Sequence, residues 1–186
     1  MRIISGTFRG KKILEPVNIK TRPLKDLVKE SIFNIINHSN KFQINLKNSF
    51  ILDLFSGVGS FGLECLSRGV KQVIFVENYE GVLPILEKNV ENLKIIKNYE
   101  ILKKNIYKEN IFLNFQNQID VIFMDPPYKD KNLNYIFENI KKTKILKKRG
   151  IIILHRHKSE KDIFPEGFKV VEEKKYGLSK IIFLIY

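Results

Sequence analysis

From residue 50 onward the chain alternates short, continuously apolar runs with amphipathic segments, a pattern few folds accept. Seven runs read as strands: 50–54 (Phe-Ile-Leu-Asp-Leu), 73–76, 99–102, 120–124 (Asp-Val-Ile-Phe-Met), 151–154 (Ile-Ile-Ile-Leu), 168–172 and 181–185. Strands this short and apolar suit a sheet covered on both faces. Helical stretches lie between most of them; Leu133, Ile136, Phe137 and Ile140 form one clear stripe. Strand–helix alternation predicts a parallel, doubly wound α/β sheet. Between the last two runs stands only Lys174 to Lys180, with Tyr176-Gly177 inside. That gap is too short for a helical crossover, so these two strands should pair antiparallel.

Residues 1–48 read differently. Arg2-Ile3-Ile4 and Lys12-Ile13-Leu14 flank a segment holding Gly6 and Gly10, which predicts a hairpin. Leu24, Leu27, Val28, Ile32, Ile35 and Ile36 then recur at helical spacing, with Pro23 suited to the first turn. A polar stretch, Asn37 to Lys41, and another near Lys47-Asn48 place a boundary near residue 48. The net charge is +13, and residues 1–48 carry ten Lys and Arg against three acids. Ile, Lys and Asn make up 72 of 186 residues, so a coding bias accounts for part of the lysine; its concentration at the amino end still points to a polyanionic partner. A single cysteine, Cys65, excludes an internal disulfide and a Cys-cluster metal site. No apolar run reaches the roughly 18 residues of a membrane span, and the opening residues lack a signal peptide's apolar stretch. The expectation is a cytoplasmic, single-domain enzyme without metal.

The segment Asp53-Leu54-Phe55-Ser56-Gly57-Val58-Gly59-Ser60-Phe61-Gly62 runs from a strand into a helix, and its glycines match G-x-G-x-x-G. Such glycines let backbone turn tightly and approach a ligand. A dinucleotide would set its pyrophosphate on the helix amino end. S-adenosylmethionine has no phosphate, and a carboxylate at Asp53 suits its cationic ammonium while repelling a pyrophosphate. Glu77, ending the next strand, suits ribose hydroxyls in either ligand. A plain structural turn is the remaining reading of the loop.

Met124-Asp125-Pro126-Pro127-Tyr128 follows the fourth strand, at the sheet edge where open α/β folds bind ligands. Two prolines remove two N–H donors and stiffen the chain. The Asp125 carboxylate and the Pro126 carbonyl remain as acceptors for a substrate amino group. Accepting its hydrogens aims the nitrogen lone pair at a methyl donor, while Tyr128 can stack on a base for about 1–3 kcal/mol.

Asp125-Pro126-Pro127-Tyr128 resembles the motif of amino-group methyltransferases acting on adenine, cytosine or guanine. Over nearly the whole chain the sequence is similar to the RsmD family, bacterial enzymes that methylate N2 of one guanine in 16S ribosomal RNA. The residues that carry this are Arg2-Ile3-Ile4-Ser5-Gly6, Thr21-Arg22-Pro23, Glu30 to Ile35, Leu52 to Gly59, Gly62 to Gly69, Glu77, Asp125 to Tyr128 and Tyr176-Gly177. The resemblance implies a Rossmann-like class I methyltransferase, with a seven-stranded, mostly parallel sheet whose last strand is antiparallel. It implies S-adenosylmethionine held by Asp53, Phe55, Gly57, Gly59, Glu77 and Asn105, and catalysis by Asp125, Pro126 and Tyr128. Arg9, Lys11, Lys12, Arg22, Pro127 and Tyr128 are the expected substrate contacts. Residues 1–48 become an RNA-docking extension and 49–186 the catalytic core of a monomer acting on 16S RNA, within the small ribosomal subunit or its assembly intermediate.

Some positions depart from the family. Leu24 and Leu27 replace a polar and a basic residue; Asn105 stands where an Asp commonly faces the cofactor adenine; His155 stands where an acid is frequent, and the sequence assigns it no role. Lys141 to Arg149 reads either as a phosphate-facing patch or as a solvated helix end. Competing functions are a DNA adenine or other nucleic-acid amino-methyltransferase, a dinucleotide-dependent oxidoreductase, which has no use for Asp125 to Tyr128, and a binding module without catalysis.

Overall fold

The computed structural model describes residues 1–16, 24–94, 97–115, 118–127 and 130–186. Seven strands, β1 (Phe50–Leu54), β2 (Gln72–Val76), β3 (Tyr99–Leu102), β4 (Ile119–Met124), β5 (Leu146–His157), β6 (Lys169–Tyr176) and β7 (Ser179–Ile185), form one sheet in the order β3-β2-β1-β4-β5-β7-β6. Every pairing from β3 to β5 is parallel, and β7 runs antiparallel to both neighbours. Six strands therefore share one direction, as the alternation predicts.

Side-chain alternation assigns each strand residue to a face. Ile51, Val121, Phe123, Ile151, Ile153, Ile181 and Phe183 join one apolar cluster with α1 (Asp26–His38), α2 (Ser60–Ser67) and α3 (Leu83–Glu91). Leu52, Leu54, Ile122, Met124, Ile152, Leu154, Ile182 and Leu184 join the other, under α4 (Leu133–Thr143) and a short 3-10 segment, Ile111–Phe115. The predicted α4 stripe is the buried face of that helix.

Two strands run longer than their apolar runs. β5 begins at Leu146, opposite Ile119, and a register shift, with the extra residues in β5, separates this start from the apolar part, where Ile151 faces Val121. The basic run from Lys141 to Arg149 is thus split. Lys141 and Lys142 end α4, Lys144 turns the chain at φ 52°, and Lys147 to Arg149 belong to β5, where Lys147 Nζ meets Asp120 Oδ2 at 2.8 Å. Part of the run is therefore a helix end and part belongs to a strand. β6 continues through Glu172 to Lys175 because it is an edge strand, where charged side chains remain in water.

The amino-terminal hairpin is minimal, with one antiparallel bridge, Arg2 to Lys12, and flanking bonds from Ile3 N to Lys11 O and Ile13 N to Met1 O. It lies along α2. Ser60 Oγ donates to Met1 Sδ, the N–H groups of Ile4 and Ser5 donate to Glu64 at 2.7 and 2.9 Å, and those of Thr7 and Phe8 donate to Ser67. α1 covers the same helix: Phe33 stacks on Phe61, which stacks on Phe123 of β4, with ring centres 5.3 and 4.1 Å apart. α1 starts at Asp26, after the non-helical Leu24 and Lys25; Pro23 lies outside the described residues, and Leu27, predicted on the apolar stripe, is 68% exposed.

Glu64 is the anchor of this layer. Both it and Lys29 are fully buried, 3.6 Å apart, while Arg68 completes the pair and Lys29 Nζ donates to Arg2 O. Burial lowers the Lys29 pKa despite Glu64 and Asp26 beside it. Removing one member of a buried pair strands the other charge, at a cost of about 3–5 kcal/mol. Glu64→Ala should lose that much stability in urea denaturation; a loss below about 1 kcal/mol, as for an exposed pair, would refute the anchoring role.

Candidate active site

The chain fills β1 to β3 on one side, then returns to lay β4 on the other side of β1. Ligands bind at such a switch point, outside the carboxyl ends of the strands. A cavity of about 610 Å3 opens there, bordered by the loops following β1, β2, β3 and β4 and by His155 near the end of β5. Its size is that of a small-molecule site.

The glycine loop turns through positive φ at Phe55 (60°), Gly57 (55°) and Gly59 (84°). Ser56 ties it down: its hydroxyl donates to Asp53 O at 2.6 Å and accepts from Val76 N at 2.9 Å. The glycines divide their work. Gly57 lines the cavity, with nothing within 4 Å of where a Cβ would stand, so backbone faces open space. Gly59 does not line it; a Cβ there would stand 2.6 Å from Leu86 Cδ1, and one on Gly62 2.2 Å from the Phe75 ring. Packing of α2 against β2 and α3 explains those two.

Asp53 is 1% exposed. Its Oδ2 accepts from Gly62 N at 3.0 Å, and its Oδ1 has no partner among the described residues. Burial pushes its pKa well above 3.8; the Gly62 N–H opposes this, and the nearby Asp125 and Glu77 reinforce it. Burying a charged carboxylate oxygen without a donor is costly, which leaves Oδ1 an open acceptor on the cavity wall. Glu77 is already engaged: Oε2 accepts from Gly57 N, and Oε1 from Asn78 N and Tyr79 N, each at 2.8 Å. A carboxylate offers about four acceptor positions, so Glu77 shapes the glycine loop and retains about one position for a ligand hydroxyl. Asn105 also lines the cavity, its Oδ1 accepting from Tyr107 N at 2.9 Å.

Asp125, Pro126 and Pro127 reach the same cavity; Tyr128 and Arg22 lie outside the described residues. Three side chains around this motif have no sequence signal. His155 Nδ1 stands 2.8 Å from Asp125 Oδ1. Arg156, 3% exposed, reaches from β5 to Pro127 O and Asp130 O at 3.4 and 3.2 Å, and is itself held by Asp162. Tyr107, which lines the cavity, donates to Asp130 Oδ2 at 2.6 Å; burial and that bond raise its pKa. Leu24, expected on the helical stripe but preceding α1, is buried and lines the cavity as well.

The basic residues of the hairpin lie elsewhere. The hairpin tip packs at Ser67, whereas Ser60 borders the cavity, so Arg9 at the tip is about 10 Å away along α2 at 1.5 Å per residue, while Lys12, bridged to Arg2, sits nearer the Ser60 end without lining the cavity. Both are exposed, while Lys11 Nζ donates to Asn92 O beside the Phe8 ring.

A family model described as "Conserved hypothetical protein 95" matches residues 1–185. Ribosomal RNA small subunit methyltransferase D of Haemophilus influenzae is 32% identical over 181 residues, 96% of this chain and 90% of that one. The chain belongs to the RsmD family. Its fold agrees. The Haemophilus influenzae protein HI0767 superposes at TM-score 0.74 with 31% identity, covering 98% of this chain and 96% of that one. The Escherichia coli protein yhhF superposes at 0.79 with 25% identity, covering 99% and 96%. As an RsmD-family methyltransferase, the chain carries Asp53, Phe55, Gly57, Glu77, Asn105, Asp125, Pro126 and Pro127 around one cavity.

The raised Asp53 pKa has a testable sign. The folded state keeps a proton that the unfolded chain releases near 3.8, so stability falls as pH rises from there through the raised pKa. Urea denaturation of the ligand-free protein across that range should show the decline, and Asp53→Asn should flatten it. Identical pH profiles for parent and variant would remove the buried carboxylate as its source.

Proposed function

We propose that this RsmD-family chain transfers a methyl group from S-adenosylmethionine to the exocyclic N2 of a guanine in 16S ribosomal RNA, within the small subunit or its assembly intermediate. The observation carrying this is that one cavity joins a buried carboxylate oxygen on Asp53, without a donor among the described residues, to the acceptors of Asp125-Pro126-Pro127. The relative named above acts, by its name, on small-subunit ribosomal RNA.

The residues fit the cofactor. Asp53 Oδ1 would take its ammonium, Gly57 leaves room for close backbone approach, Glu77 has an acceptor position for a ribose hydroxyl, and Asn105 and Phe55 border the adenine end. When bound, this cofactor supplies a methyl group already activated by a sulfonium. The protein's task is alignment, which can supply roughly 7–11 kcal/mol. Guanine N2 is a poor nucleophile because its lone pair is delocalised into the ring. Asp125 and the Pro126 carbonyl accept its hydrogens, localise that pair and stabilise the charge that develops on nitrogen. Asp125 then holds the departing proton. Arg156 keeps the loop in place through two carbonyls, and Tyr128 supplies the stacking surface. A target inside a helix must be unstacked first.

The exposed Arg9 and Lys12 do not line the cavity. They are placed to hold RNA phosphates beyond it, as part of the docking role of residues 1–48. Arg9→Ala with Lys12→Ala should weaken RNA binding and lower the salt slope by about 0.7–0.9 per lost phosphate contact, leaving cofactor affinity unchanged. Equal slopes would assign the arm to packing alone.

The reaction is tested by offering labelled methyl donor to undermethylated small subunits, free 16S RNA and DNA, followed by nucleoside analysis. N2-methylguanosine from the ribosomal substrates is expected; methyladenine from DNA would overturn the assignment. Asp125→Asn should lower turnover by roughly 10²-fold or more while cofactor binding persists.

A further inference from the structure

We infer that His155 is a positioning residue for methyl transfer: it donates from Nδ1 to Asp125 and so fixes which carboxylate oxygen meets the substrate amino group. The inference rests on the function proposed above and adds a residue to it. The contact is 2.8 Å, between a histidine only 6% exposed and the carboxylate that borders the same cavity.

The register brings them together. Met124 of β4 pairs with Leu154 of β5 in a parallel ladder, so the next residue on each strand is Asp125 and His155. His155 is still inside β5, paired with Ile181 of β7, and its donor is therefore set by the sheet rather than by a loop. Asp125 has left its strand and has only this side-chain bond to stop rotation of its carboxylate among the described residues. Rigid support for a group on a loop is what precise catalysis requires.

The chemistry fixes the direction of the bond. A carboxylate has no hydrogen to give, so Nδ1 carries the proton and Asp125 Oδ1 accepts it. His155 Nε2 is buried and has no partner among the described residues, so the ring has no competing bond that would turn it over. Asp125 Oδ2 has no partner among the described residues either and is left to accept from the substrate nitrogen. Asp53 lies close enough to Asp125 for their charges to interact, with Glu77 near as well. An N–H donor beside Asp125 offsets the repulsion of these acids.

The substitutions separate this from simple packing. Asparagine places its amide nitrogen at the same distance along the side chain as Nδ1, and alanine removes the donor. His155→Ala should lower kcat by roughly a hundredfold, the cost of a misplaced group, with cofactor affinity and KM nearly unchanged. His155→Asn should restore most of that loss. In the Asp125→Asn background, His155→Ala should add little, since neighbours acting through one bond are not additive. Nitrogen NMR of the ligand-free parent should show the Nδ1–H form of His155, and this readout needs no turnover. The inference is overturned if His155→Ala keeps kcat within about threefold, if asparagine is as poor as alanine, if the two losses add in full, or if NMR shows the proton on Nε2 alone. If alanine prevents folding, the asparagine variant and the NMR spectrum still decide it. A parent that methylates no nucleic acid, yet shows the Nδ1–H form, would sink the proposed function while leaving the Asp125–His155 bond intact.

Discussion

The in-register parallel pairing of β1, β4 and β5 is the constraint on which the site depends. Asp53 pairs with Phe123, and Met124 with Leu154, so three strands reach the switch point level with one another. Each strand delivers one polar residue to the same edge: Asp53 from β1, Asp125 just past β4, His155 near the end of β5. Their hydrophobic neighbours specify the register, because a slip by one residue would move each apolar side chain to the wrong face. The core therefore positions the chemistry without contributing to it.

Four carboxylates around one cavity are a cost the fold must offset, and Asp130 is offset by the Tyr107 hydroxyl and the Asn132 N–H. Glu77 is offset by three backbone N–H groups. Asp125 has an imidazole. Among the described residues Asp53 has a single N–H, from Gly62, and an Oδ1 without a partner. The least satisfied acid is the one assigned to a cationic ligand, which explains why it stays unsatisfied: a permanent partner would occupy the ligand's place. Local instability of this kind is common where binding is to occur.

The amino-terminal segment shows how a short, weakly structured stretch can be held firmly. Its hairpin has one bridge. Its stability comes from α2, where Glu64 accepts from Ile4 and Ser5 and faces Lys29 from α1. The same layer carries the aromatic stack from Phe33 through Phe61 to Phe123, and it brings Leu24 to the cavity wall. The described residues of the segment 1–48 thus share one apolar cluster with the sheet.

Much of this architecture is legible in the chain itself. Runs such as Ile151 to Leu154 mark doubly covered strands, and the short gap around Tyr176-Gly177 dictates an antiparallel pair, because both signals depend on neighbours in sequence. The same is true of Asp53 with the glycine loop and of Asp125-Pro126-Pro127, whose chemistry sits within a few residues. Where β5 and β6 begin and end was not legible, since polar residues join a strand only when a partner or an exposed edge permits it. The split roles of Gly57, Gly59 and Gly62 depend on Leu86 and Phe75, which the loop's own sequence does not contain. His155, Arg156 and Leu24 gain meaning only from partners on other elements. What the sequence by itself determined was the set of elements and the two motifs, because periodicity and local geometry are encoded along the chain. Only the tertiary structure decided which side chains meet at the cavity, because strand register between distant segments is fixed by packing of the whole core.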